Sequence, residues 1–126
     1  MPYINFDDDF TEHPKVDALS DGAFRLWASG VRYAAKNLTD GLIPAVKVDR
    51  LKPNFKAAHL NELVRSGVWH KGGEGCGTDH CPRGSAGEYV VHDYLQWNKP
   101  RDWWLERRKA ETERRAAHRR AKKESA

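Results

Sequence analysis

Two cysteines, Cys76 and Cys81, are all that 126 residues contain, too few for a disulfide framework, which argues against a small secreted fold held by cross-links. No apolar run approaches the roughly 20 residues of a membrane-spanning helix. No apolar signal-peptide core follows Met1. These absences lead us to expect a soluble, cytoplasmic chain with no membrane partner. Enzyme signatures are missing as well: there is no P-loop, no G-x-S-x-G, no H-E-x-x-H and no G-x-G-x-x-G. Asp7, Asp8 and Asp9 lack the spacing of a calcium loop and read as a solvated turn. We therefore expect no catalytic residues, no enzyme activity and no small-molecule substrate. Alternation of the βαβ type is also absent, which disfavours a parallel α/β sheet.

What is present is globular. Five Trp, four Tyr and four Phe within 39% hydrophobic residues are more than a disordered chain carries. The net charge of +4 is unevenly placed. From Lys99 onward eleven Lys or Arg face five Asp or Glu, whereas the preceding 98 residues carry eleven basic and thirteen acidic groups. A nearly neutral body with a positive arm points to an acidic partner, most often nucleic acid. The chain thus divides into a domain over residues 1–98 and a basic, partly flexible C-terminal helix or arm over 99–126.

Hydrophobic spacing supplies the element order. Tyr3 to Phe6 alternates weakly, as a short edge strand would, and Pro14 suits the first position of a helical turn. Ser20 is an N-cap for a helix over about residues 21–37, with Phe24, Trp27, Val31, Ala34 and Leu38 on one face. Leu42-Ile43 has room for one edge strand, confined by Pro44. A second helix is expected over 45–51, stopped by Pro53, and a third from Asn54 as cap to about Ser66, closed by Gly67. Its stripe of Ala57, Leu60, Leu63 and Val64 would be buried, with Lys56, His59, Glu62 and Arg65 mostly toward solvent. Val68 to His70 and Tyr89 to His92 read as strands. The segment between them carries Gly72, Gly73, Gly75, Gly77, Gly84 and Gly87, and is expected to be a long, mobile hairpin connection outside the core. Pro100 can open a last helix whose Trp103, Trp104 and Leu105 dock on the body, with pairs such as Glu111–Arg115 beyond. The fold class is therefore α+β and mainly helical. Its middle has the order of a winged helix-turn-helix: three helices, a β-hairpin wing, and then a basic C-terminal helix.

Three constellations could carry function. In a helix-turn-helix the second helix enters the major groove and its N-terminal residues reach base edges. That places Asn54, Lys56 and His59 toward DNA, with Asn61 a further candidate, Arg50 and Lys52 close to phosphates, and Arg65 in the same DNA-binding set. In the arm, Arg107, Arg108, Arg114, Arg115, Arg119 and Arg120 set charge around every side of a helix, suited to phosphates and unsuited to a membrane surface. Third, Cys76, His80 and Cys81, with His70 just before them, could hold a zinc ion in the wing. Adjacent His80 and Cys81 are hard to place on one tetrahedron, and two free thiols in an exposed loop are the alternative. No other cofactor is expected, and His92-Asp93 reads as a structural pair at a strand end.

The runs Phe10-x-x-His13-Pro14-Lys15-Val16-x-x-Leu19-Ser20, Phe24-Arg25-Leu26-Trp27 and Leu38-Thr39-Asp40-Gly41-x-Ile43-Pro44 carry a family resemblance. It continues through Glu62-Leu63-Val64-x-x-Gly67-x-Trp69 and Tyr89-Val90-Val91-His92-Asp93-Tyr94-Leu95. In these residues the chain resembles the winged-helix proteins of phages and actinobacteria that are similar to the N-terminal domain of DnaD-type phage replisome organisers. The resemblance implies duplex DNA binding, in a replication or transcription-regulatory role in a bacterial cell or phage-infected host, with replication or transcription proteins as candidate partners. The chain departs from the pattern after Trp97, where only the basic helix follows, so a helicase-engaging domain is not implied. A module that engages or inhibits a host protein is the alternative function, and RNA binding through the arm is a third.

Overall fold

The computed structural model describes residues 2–125. Its elements are α1 (Pro14–Asp17), α2 (Asp21–Asn37), β1 (Leu42–Pro44), α3 (Ala45–Val48), α4 (Ala57–Arg65), β2 (Trp69–Lys71), β3 (Glu88–Val91), α5 (Tyr94–Trp97) and α6 (Arg101–Glu124). The architecture is α+β, about half helical, with one antiparallel sheet in the order β1-β3-β2. No helix among the described residues is long and apolar enough to cross a membrane.

Helix α2 has the bounds its sequence implied. Ser20 Oγ accepts from the Ala23 amide at 3.3 Å, satisfying one of the orphan donors of the first turn. The second half of this cap comes from another helix. Glu62 on α4 accepts from the Ser20 amide at 2.7 Å and from its hydroxyl at 2.8 Å, a reciprocal cap completed across the fold. Glu62 therefore does not face solvent freely, as its position on the helix suggested. The Ser20 backbone N–H holds its carboxyl below the usual carboxylate range. The helix ends where Leu38 turns left-handed at φ 52° and its amide bonds back to Ala34.

The core lies between α2, α4 and one face of the sheet. Ala23, Leu26, Val31 and Ala34 of α2 meet Ile43, Val48, Leu63, Trp69 and Val91, all buried. Trp69 is fully buried against Gly30, where a β-carbon would overlap the indole and stand 3.0 Å from Ile43 Cδ1. Strand pairing sets Trp69 opposite Val91, His70 opposite Val90, and Ile43 opposite Tyr89. Because side chains alternate across a strand, Trp69, Val91 and Ile43 share the core face while His70, Val90 and His92 share the other.

That outer face is covered as well. Loop residues 72–87 fold back on it, with Gly84 so close that a β-carbon there would lie 3.1 Å from Leu42 Cδ2 and 3.4 Å from Val90 Cγ2. Val90 is 2% exposed and Cys81 9%. The connection expected to stay outside the core thus contributes Cys81 to it. Gly72 and Gly73 donate to Glu88 O and Arg83 O at 2.7 and 2.8 Å, which ties the two ends of the loop together.

Several elements differ from the sequence expectation. Tyr3 to Phe6 forms no strand; the Asn5 amide donates to Asn98 Oδ1 at 2.8 Å, and Phe6 stacks on Phe10 at 4.5 Å. Helix α3 stops at Val48, and the rest of its expected length is two tight turns, Arg50 to Lys47 and Leu51 to Val48. Asn54 does not cap α4. It sits at φ 56° in the preceding turn, and the helix starts three residues later without a side-chain cap. Residues 94–97 form α5, a turn entered through left-handed Asp93 at φ 54°.

Helix α6 is docked at its base. The Arg101 amide donates to Asp40 Oδ1 at 2.7 Å, and Trp104 packs edge-on to Tyr3 at 5.0 Å and to Trp103 at 4.8 Å. Trp103, Trp104 and Leu105 are half-buried; beyond them the helix is exposed except for partial cover at Glu111 and Ala116. The ion pair formed is Arg107–Glu111 at 3.8 Å, in place of the anticipated Glu111–Arg115.

Two stability predictions follow from these contacts. Gly30→Ala should overpack the Trp69 seat and lower unfolding free energy by about 1–3 kcal/mol in urea titration; an unchanged midpoint would show that the seat is not tight. Glu62 has a depressed folded pKa, so its contribution is fully present above the ordinary value of 4.5 and is lost as pH falls from there through the lowered folded value. Glu62→Gln should therefore be less stable than the wild type at pH 7, and the gap should narrow as pH drops from 5 to 3.

Candidate metal centre and nucleic-acid face

The sheet's outer face and the loop over it bring four donors together. His70, Cys76, Cys81 and His92 place one ligand atom each within 4.8 Å of all the others, a cluster that could hold a metal ion. His70 Nε2 stands 2.7 Å from His92 Nδ1, and His92 Nδ1 lies 3.2 Å from Cys81 Sγ and 3.8 Å from Cys76 Sγ. A tetrahedral zinc site with Zn–N of about 2.0–2.1 Å and Zn–S of about 2.3 Å has edges of about 3.3–3.8 Å. The observed spacing brackets that range, with the two imidazoles slightly too close.

This set corrects the sequence expectation in one member. His80 is exposed and outside the cluster, because a side chain adjacent to Cys81 points away from it. His92 takes the fourth place, and the pair read as structural is part of the site. The signal lay in strand phase: once Trp69 pairs with Val91, His70 and His92 fall on the same face as diagonal neighbours.

The surroundings suit neutral imidazole ligands and, at Cys76, a thiolate. Burial pushes both histidines below their usual range. Asp93 accepts from His92 Nε2 at 3.1 Å, and that contact leaves Nδ1 turned to the cluster. The Asp93 amide donates to Cys81 Sγ at 3.0 Å. Burial raises the Cys81 thiol. Burial acts in the same sense on Cys76, but hydrogen bonds from the Thr78 side chain and backbone outweigh it and bring that thiol below its usual range.

The residues expected to face DNA separate into two groups. Lys52 Nζ donates to Pro53 O and Asn54 O, both at 3.0 Å, so it closes its own turn. Asn54 is exposed but lies off the helix. His59 is half-buried over Gly22 of α2, where a β-carbon would overlap its ring, and its Nδ1 has no partner. It is a packing residue. What remains exposed is Arg50, Lys56 at the helix start, and Ala57, Ala58, Asn61 and Arg65 along one side of α4. Only Asp49 and Glu62 are acidic between residues 45 and 65, and Glu62 is held by Ser20. On α6, Arg107, Arg108, Arg114, Arg115, Arg119 and Arg120 are all exposed, with Arg107 lying 5.3 Å over the Trp103 ring.

One further surface stands out. Phe6, Phe10, Trp27 and Trp97 line a cleft rimmed by Asp7, Asp9 and Glu12, and Trp97 is 49% exposed. Compared with known proteins, the chain matches no family model, no curated protein and no solved structure.

The two thiols should differ in reactivity in metal-free protein. Cys76 is half-exposed with a lowered pKa, whereas Cys81 is buried with a raised one. A timed iodoacetamide reaction read by mass spectrometry should alkylate Cys76 well before Cys81; equal rates would show that the loop does not enclose Cys81.

Proposed function

We propose that the chain is a winged-helix protein that binds duplex DNA, in a phage-type replication or regulatory role, with α4 in the major groove and α6 on phosphates. The observation that carries this reading is the outer side of α4. Ala57 and Ala58 leave its first turn narrow, Asn61 supplies a side chain of the type that pairs with adenine, and Lys56 and Arg65 flank it, while the one acid between them, Glu62, is bonded to Ser20. Supporting the fold reading is the order α2, β1, α3, α4, β2, loop, β3 with β3 in the middle of the sheet. Among the described residues the exposed arginines of α6 form no ion pair with the body; Arg107 pairs with Glu111 of the same helix. The ion that suits the Cys2His2 cluster is zinc, since two thiolates and two imidazoles form a set it takes in structural sites. Within this reading the sheet-covering loop is the wing.

A protein-binding reading has one feature in its favour, the aromatic cleft with acidic rim, which fits a basic segment carrying an apolar side chain. A salt titration of labelled duplex binding separates the two. DNA binding by the full chain should weaken with a log–log slope of about −0.9 per phosphate contact. Truncation after Leu105 should lower both affinity and slope. Lys56→Ala with Arg65→Ala should reduce the slope by up to about 2. No duplex binding at low salt would end the DNA reading. Association with a protein partner that Trp97→Ala abolishes would then establish the cleft in its place.

A further inference from the structure

We propose that the zinc site is closed and works as a clasp that holds loop 72–87 on the outer face of the sheet, with His92 as fourth ligand and Asp93 as its positioning residue. This rests on zinc being the ion the cluster takes. Hydrogen bonds join the loop's ends to each other and Thr78 Oγ1 donates to Asp93 Oδ1 at 3.2 Å, but the loop has little apolar surface to hold it. Between residues 72 and 87 its apolar side chains are Cys76, Cys81, Pro82 and Ala86 alone, while five of its six glycines have positive φ. So short a list cannot offset the ordering of sixteen residues by apolar burial. The donors, by contrast, come from both sides of the interface: His70 and His92 from the sheet, Cys76 and Cys81 from the loop. An ion bound by all four joins the loop to the strands at two points.

The chemistry balances. Zn2+ enters as the Cys76 and Cys81 thiols release two protons to solvent, so two thiolates neutralise the ion and both histidines stay neutral. In the metal-free form His92 keeps its proton on Nε2 toward Asp93, and His70 Nε2–H donates to His92 Nδ1. When zinc binds, the His70 proton moves to its other ring nitrogen and both facing lone pairs turn to the metal. Four protein donors leave no open position for water or substrate, which makes the site structural. Asp93 acts twice: its carboxylate orients His92, and its left-handed backbone aims its N–H at Cys81 Sγ.

The test uses the full chain after EDTA treatment, with Zn2+ returned against a chromophoric chelator, Co2+ as a spectroscopic substitute, and trypsin cleavage after Arg83 followed by mass spectrometry. One Zn2+ per chain, two protons released, and a tetrahedral Co2+ spectrum with thiolate charge transfer are expected. Zinc should slow the Arg83 cut by about tenfold or more by closing the loop. His92→Ala should lose zinc and protection, His80→Ala should keep both, and Asp93→Asn should weaken zinc by about 10–100-fold. Cys76→Ser supplies a second test of the ligand set should His92→Ala fail to fold. Zinc binding that leaves the Arg83 cut unchanged, or that survives His92→Ala, overturns the clasp while zinc as the ion stands. Absence of zinc binding overturns both, and duplex affinity measured on the same samples reports separately on DNA binding.

Discussion

The seat of Trp69 on Gly30 fixes the phase of the whole sheet. An indole edge needs a neighbour without a side chain to come this close to a helix backbone, and Gly30 is the one glycine buried in α2. Once Trp69 points inward, strand alternation turns His70 outward, and pairing with Val91 turns His92 outward beside it. A slip of one residue would bury both imidazoles against Leu26 and Val31 and expose Trp69. The core therefore sets the geometry of a cluster on the opposite face of the sheet.

A thin sheet with one helical layer ordinarily leaves its second face to water. Here that face carries Val90 and Leu42 as well as the two histidines, and the covering segment is rich in glycine. Glycine serves a purpose at Gly84, whose φ of +67° disfavours a side chain and where a β-carbon would crowd Leu42 at 3.1 Å. It also removes the side chains that would normally bind such a cover in place. Loop composition and cluster geometry are thus two parts of one arrangement: a segment thin enough to lie on the sheet is too thin to hold itself there.

Much of this fold was legible in the sequence, and the gaps have physical causes. Helix α2 was readable because a strong cap, a long apolar stripe and a turn at Thr39-Asp40-Gly41 agree. The strands and the docked base of α6 were readable from β-branched and aromatic content and from Pro100. Asn54 misled because a good capping residue is also a good left-handed turn residue, and only the packing of Phe55 and Leu60 against the core decides between them. His59 and Glu62 misled because helical spacing reports which residues leave the core, not which reach a neighbouring helix; both touch the start of α2. Three of the four cluster residues were visible as a local Cys and His group. The fourth, His92, lies eleven residues beyond Cys81 at the next strand's end, and the strand register is what brings it to the others.

The same register shapes how the proposed DNA-binding surface divides its work. Helix α4 is held on one side by Glu62 and Ser20 and on another by Leu63 in the core, so its outer side has a fixed orientation. Shape and side-chain identity on that side can therefore discriminate among partners. Helix α6 is the opposite case. Its 24 residues span about 36 Å, docked only over the first turns. Pairs such as Arg107–Glu111 each stabilise such a helix by only about 0.2–0.5 kcal/mol. Charge spread around every side suits a phosphate lattice met at any rotation and reads no sequence. On this reading affinity and specificity reside in different elements: the exposed helix supplies salt-sensitive attraction, and the braced one any discrimination between sites.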